Sequence, residues 1–381
     1  MNHQEKIPKG PIREFVALHL IPRLGAQRIR LLLQFVDHPQ DIFRLSRRKL
    51  QSIDGIGPKI SQNIVTFDNW EKVDHVIAKT RGVGANIITY WEEDYPPLLR
   101  EIHDPPILLW INGNRKALRN DSVAIVGTRR AGQYGKETAQ YFARDLVEEG
   151  LTVISGLAYG IDGAAHRETV EAGGCTIAVL GSGIDNIYPS KHKGLAADIV
   201  ESGGAVISEF PLGTAPDAGN FPVRNRIVSG MSLGTLVAAS GIDGGSMITA
   251  KLALDQNREV FVVPHPIGTP NAVGCNSLIQ RGMGKLVQSV EDVLEEIEVH
   301  LQRKDCVQEG DKEHLVKMGW RTRELDELGV RICKALELEI NNVDKLAEKL
   351  DMKTHELMPK LLELELEGCV RQNAGKGFEL I

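Results

Sequence analysis

Residues 122–155 read SVAIVGTRRAGQYGKETAQYFARDLVEEGLTVIS, and their rhythm decides the fold. An apolar run, SVAIV at 122–126, stops at Gly127. A helical pattern follows over 135–149, and a second apolar run, LTVIS, occupies 151–155. Strands apolar at every position are buried on both faces, and a helix between two of them is the crossover of a parallel sheet. The unit recurs. Strands are expected again at 176–180, 204–208, 234–238 and 259–263, with helices near 162–172, 191–202, 222–232 and 246–257. Six strands alternating with helices predict an α/β fold: a Rossmann-like, doubly wound parallel sheet over residues 121–303.

The flanks have other rhythms. Residues 81–120 hold Pro96, Pro97, Pro105 and Pro106, which exclude a long helix, and read as an extended connector leading into the sheet. Residues 1–80 read as a helical domain. Within it LQSIDGIGPKISQNI (50–64) has the form of a helix-hairpin-helix, as in SAM-like domains, and RLGAQRI (23–29) is a weaker echo. Backbone amides at such a turn can hold a phosphate, which makes Gly55, Gly57 and Lys59 candidate accessory contacts. A plain glycine turn in a helical bundle is the alternative. Residues 304–329 are polar and mixed in charge, as a linker is. Residues 330–381 give three amphipathic helices and a short hairpin turning at Gly375-Lys376-Gly377, the outline of a winged helix.

With 381 residues, two or three domains are expected, and 42% hydrophobic residues suffice for a full core. No run of eighteen apolar residues is present, so no membrane span is expected, and MNHQEKIPKG lacks the apolar core of a signal peptide. Five scattered cysteines without a CxxC pair fit reduced thiols in a cytoplasm and offer no zinc site. The net charge of −6 averages unlike parts: 13 Lys and Arg against 8 Asp and Glu over 1–80, but 14 against 21 over 121–303. For a polyanion, local placement counts more than the average.

In an open parallel sheet, ligands bind beyond the carboxyl ends of the strands where strand order reverses. For the order 3-2-1-4-5-6 that crevice falls between the loops after the first and fourth strands. The first loop carries Thr128, Arg129 and Arg130; the fourth ends in Phe221, Arg224, Asn225 and Arg226. Cations at helix starts oppose the helix dipole, so two such pairs point to an anion in the crevice. Salt bridges to Glu209 or Asp185 are the alternative. The turns SGLAYGID (155–162), GSGID (181–185) and GIDGGS (241–246) line the same edge, bringing Ser155, Gly156 and Ser246 to it, and Phe221 could stack on a base. The first loop is neither GxGxxG nor a P-loop. Asp162 and His166, four apart, read as a helix cap with a histidine above it rather than a catalytic or metal pair.

At these residues the sequence resembles the DNA-processing protein A family (DprA/Smf). The matching runs are YPPLLREIHDPPILLWING, VAIVGTRRAGQYG, VISGLAYGIDGAAH, IAVLGSGIDNIYPSKH, ISEFPLGT, FPVRNRIVSGMS, GGSMITAKLAL and NSLIQRGM, in order across 90–290. The resemblance implies single-stranded DNA binding, a homodimer, loading of the RecA recombinase during natural transformation or related recombination, and no enzymatic step; no cofactor or metal is expected. It puts the pocket on Gly127, Thr128, Arg129, Phe221, Arg224 and Arg226. Asp217-Ala218 stand where the family has a basic residue, a change expected to take a positive charge from the pocket. Ala239, Gly244 and His265 also depart from its pattern. The competing reading is a nucleotide-binding or nucleotide-cleaving enzyme of the lysine-decarboxylase-like (LOG) group, whose PGGxGTxxE signature is missing.

Overall fold

The computed structural model describes residues 12–298, 327–337, 343–350, 352–366, 370–373 and 377–380. The chain divides into two compact units, Met1–Leu301 and Gln302–Ile381.

The first unit opens with six helices: α1 (Ile12–Leu20), α2 (Ala26–Gln34), α3 (Pro39–Ile42), α4 (Arg47–Gln51), α5 (Pro58–Val65) and α6 (Trp70–Gly82). The chain then builds a nine-stranded sheet from β1 (Asn86–Thr89), β2 (Leu108–Gly113), β3 (Ser122–Gly127), β4 (Thr152–Ser155), β5 (Thr176–Leu180), β6 (Ala205–Ser208), β7 (Gly234–Ala239), β8 (Glu259–Val262) and β9 (Lys285–Leu286). Its order is β1-β2-β6-β5-β4-β3-β7-β8-β9. From β6 to β9 every pairing is parallel, while β1 and β2 add an antiparallel margin. The stretch read as a connector therefore supplies two strands. Between its prolines only α7 (Pro97–Glu101), a single turn and a half, is helical.

The period-2 alternation of side chains sorts the sheet into two faces. Ala124, Val126, Ile154, Ile177, Val179 and Ile207 enter one core. On the other face Val123, Ile125 and Val153 pack under α8 (Gln133–Glu148) and α9 (Ile161–Glu171). Farther along that face Trp110, Ala178, Leu180 and Val206 share a core with Leu18, Leu32, Leu50 and Ile64 of the helical domain. The helical domain is thus the cover of half a sheet face, which is why both belong to one unit.

The strand order corrects the expected one. Numbered from β3, the six strands run 4-3-2-1-5-6 rather than 3-2-1-4-5-6. The crossover through α10 (Lys193–Glu201) continues outward, setting β6 beside β5, so the reversal lies between β3 and β7. The helix after β6, α11 (Asn220–Gly230), returns over β5, and α12 (Gly245–Asp255) follows β7. Two further helices, α13 (Val273–Gln280) and α14 (Val290–Ile297), close the unit.

In the second unit α15 (Glu327–Glu337), α16 (Val343–Leu350) and α17 (Thr354–Leu366) bury Ile332, Leu336, Leu346, Leu357, Leu361 and Leu364 around Val370 and Phe378. Those last two sit on an antiparallel pair, β10 (Val370–Asn373) and β11 (Gly377–Leu380). Three helices and a hairpin make the winged helix. Most of the expected linker, 304–329, and Gly375-Lys376 of the expected turn lie outside the described residues.

Candidate nucleic-acid interface

A cavity of about 400 Å³ opens beyond the carboxyl ends of β3 and β4, between the first turns of α11 and α12. Gly127, Thr128, Arg129, Arg130, Gly156, Phe221, Arg224, Asn225 and Ser246 all line it. The two loops meet here although the strand order differs from the expected one, because α11 turns back over the sheet and brings the loop after β6 to this point. Asp162 joins the lining too.

Arg224 forms the floor. Its side chain is buried, and one guanidinium nitrogen donates to the Gly156 carbonyl at 2.7 Å and also to the Val179 carbonyl. Burial lowers its pKa to about 10, with the buried Asp162 opposing that shift. A Cβ on Gly156 would lie 2.3 Å from the guanidinium, so only glycine admits the arginine here. Asp162 does not cap α9, whose N-cap is Gly160 without a side-chain bond. It accepts instead from the Ala158 amide at 3.3 Å, and burial raises its pKa against the pull of Arg224.

The rim is built differently. Thr128 is pinned by its amide to Ala239, 2.8 Å, and its hydroxyl accepts from the Arg130 amide at 3.2 Å. Behind it a Cβ on Gly127 would strike the Ile161 side chain at 2.3 Å. That close packing holds the loop while Arg129 and Arg130 stand exposed, with no ion pair among the described residues. The Arg129 guanidinium lies 4.9 Å above the Phe221 ring, and the half-buried Phe221 is 5.9 Å from the exposed Tyr188. Tyr188 escaped the sequence reading; its place in IYPSKH beside a glycine turn was the available signal. At the far wall Ser246, in the first turn of α12, donates to Ser240 at 2.7 Å. The α12 amides have no side-chain cap, so that end favours an anion.

Two expected residues belong elsewhere. The Ser155 hydroxyl is buried and donates to the Ile125 carbonyl at 2.6 Å, inside the sheet. Arg226 turns away from the cavity, pairing with Glu209 at 2.7 Å and Asp104 at 3.6 Å, as the salt-bridge alternative held. Residues two apart on a helix point to nearly opposite sides, so Arg224 and Arg226 cannot share one wall. Asp217 is not on the wall either; it is exposed and accepts from the Gly219 amide at 2.8 Å. Its substitution therefore takes no charge from the cavity lining. His166 is fully buried, its Nδ1 2.7 Å from the Thr176 hydroxyl, and that hydroxyl donates to Val153. Nδ1 must then carry the proton, and burial lowers the ring's pKa to about 3. Gly55, Gly57 and Lys59 lie on the helical domain, and Lys59 lines a separate pocket with Arg23 and Arg47. Among the described residues no three His, Cys, Asp or Glu side chains gather as for a metal.

Residues 86–298 match the family described as DNA recombination-mediator protein A, and 321–376 match the DprA winged helix domain. The protein Smf of Escherichia coli is 39% identical over 281 residues, 73% of each chain. The DNA processing protein DprA of Bacillus subtilis is 39% identical over 60% of this chain and 76% of its own. The X-ray structure of DNA processing protein A from Streptococcus pneumoniae superposes with a TM-score of 0.66 at 32% identity, covering 75% of this chain and 98% of that one. The Helicobacter pylori protein, whose structure concerns its single-stranded DNA binding mode, gives 0.52 at 27% identity, covering 57% and 97%.

Proposed function

Because the chain belongs to the DNA recombination-mediator protein A family, we propose that it binds single-stranded DNA in the crevice between α11 and α12 and performs no chemical step there. The observation that carries this reading is the rim: two unpaired exposed arginines, one stacked on Phe221, beside a cavity floored by a buried third. Cations at the mouth follow the phosphates of a passing strand, and Phe221 with Tyr188 offers bases a stacking surface that any sequence can use. The fixed hydrogen bonds of Arg224 shape the floor so that phosphate contact falls to Arg129 and Arg130.

As a cytoplasmic homodimer, the protein would protect incoming DNA during natural transformation or related recombination and hand it to RecA. The single-strand binding of the Helicobacter pylori relative supports the first half of this role, and the family membership supports the second. Gly55, Gly57 and Lys59 would hold a phosphate apart from the crevice, on the helical domain.

Fluorescence anisotropy with a labelled single-stranded 20-mer across a salt series tests the reading. Affinity should fall steeply with salt and vary little with sequence. A flat response, or turnover of free nucleotides, would instead favour the nucleotide-enzyme reading.

A further inference from the structure

The helical domain contains its hairpin twice. Residues 18–29 and 50–61 align with an offset of 32: Leu18 with Leu50, Ile21 with Ile53, Arg23 with Gly55, Leu24 with Ile56 and Gly25 with Gly57. The backbones agree bond for bond. Ile21 and Ile53 donate to Leu18 and Leu50, Leu24 and Ile56 to Ile21 and Ile53, and Ile29 and Ser61 to Gly25 and Gly57. Arg23 and Gly55 both take the left-handed conformation, at φ 67° and 76°. Arginine keeps the turn at a strain that glycine avoids, which is why the first copy reads as only an echo.

The copies grip each other reciprocally. Arg28 of α2 donates to the Gly55 carbonyl at 3.0 Å, and Asn63 of α5 donates to the Pro22 carbonyl at 3.2 Å. Each helix thus reaches the other copy's turn, through different positions of the repeat, an approximate two-fold rather than a head-to-tail relation. Across this junction lies a pocket lined by Arg23, Arg47 and Lys59, all exposed and none in an ion pair among the described residues. Asp54 is the one acid on the two turns. Gly25 and Gly57 have φ of −77°, open to any residue, and no atom lies within 4 Å of where a Cβ would stand. Both are N-caps, a position that accepts glycine, and the bare backbone there leaves room for an outside group to approach closely.

We propose that this double hairpin is a second nucleic-acid site, and that it takes the two backbones of a duplex. Two hairpins about an approximate two-fold, with Arg23 on one turn and Lys59 just after the other, match antiparallel strands related by a dyad, a symmetry that a single strand lacks. The site stands on the helical domain alone and does not rest on the crevice reading.

The test uses the full chain with two probes, a blunt 20-base-pair duplex and a single-stranded 20-mer. Charge reversal at Arg47→Glu with Lys59→Glu should weaken duplex binding at least tenfold and flatten its salt dependence by ~1.8 in log–log slope, at ~0.9 per lost phosphate contact. Single-strand affinity should change less than twofold. Gly57→Ala, whose added Cβ meets no atom of the fold, should weaken the duplex in the same direction, with a melting temperature lowered only by the weaker N-cap. Arg129→Ala should show the opposite selectivity. Unchanged duplex affinity in the charge-reversal variant overturns the proposal. So does parallel loss on both probes, which would give the patch to the single strand. Failure of single-strand binding alone touches only the crevice.

Discussion

Arg129 and Arg224 border one cavity under opposite constraints, and their alanine variants should separate. Arg129 is exposed and its guanidinium lies over the Phe221 face, a contact of about 0.5–1 kcal/mol at such a site. Arg129→Ala should leave thermal stability nearly unchanged and remove a charge-assisted phosphate contact of about 1.5–3 kcal/mol. Arg224→Ala would orphan the Gly156 and Val179 carbonyls and leave Asp162 buried without its cation. That loss should reach about 3–5 kcal/mol of stability, read from melting curves run beside the binding curves. Burial depth is invisible in RNR, so from the helix dipole alone the two arginines look alike. His166 yields a pH prediction. Its folded pKa of about 3 lies below the ordinary 6.5, so between those values the unfolded chain binds a proton that the folded one refuses. Stability is complete above pH 6.5 and declines toward pH 3 by up to about 1.4 kcal/mol per pH unit. Denaturant melts at pH 7, 6 and 5 should show a shallower decline for His166→Gln than for the parent.

Among the elements, α11 decides where the site falls. Strand and helix types were legible, because apolar runs bounded by glycine differ from amphipathic stretches. Strand order was not. A crossover helix of α10's length serves a step to either side of its strand, and only the packing of Leu195 and Ile199 against the β5–β6 half of the sheet settles which. The return of α11 is secured at its other side by Arg226, which ties it to Glu209 and to Asp104. Both Arg226 and Glu209 are nearly removed from water, and burial raises the Glu209 pKa against the pull of Arg226, so each depends on the other's charge. Glu209→Ala should cost about 3–5 kcal/mol by stranding the Arg226 guanidinium. Replacing both at once, Glu209→Leu with Arg226→Met, should recover most of it, since an apolar pair of similar volume carries no desolvation penalty. A double-mutant cycle in urea measures the difference. If the single and double variants melt alike, α11 is held by its apolar contacts rather than by the pair.

On the scale of the whole molecule, domain independence was not legible in the sequence. The composition shift near residue 80 separates helix from strand, but the shared core around Trp110 joins the helical domain to the sheet. Amphipathic helices announce a buried face without naming what covers it. The second unit differs: its core of Ile332, Leu346, Leu357, Leu361 and Phe378 closes within residues 327–380. Charge divides along similar lines. Residues 1–80 net +5, whereas 330–381, with 8 Lys and Arg against 10 Asp and Glu, net −2. A winged helix that reads DNA needs a basic face, and α17 instead carries Glu363, already paired with Lys360 at 2.9 Å, beside an exposed Leu362. Every residue lining the crevice and both hairpins lies in the first unit. Ending the chain after Leu301 should therefore keep single-strand affinity within about twofold and preserve the log–log salt slope, because no phosphate contact leaves with the winged helix. If the slope drops by ~0.7 or more, the second unit does contact phosphate despite its net charge. Anisotropy titrations of the full and shortened chains over one salt series distinguish these outcomes, and a melting curve of the shortened chain establishes that its own core is intact.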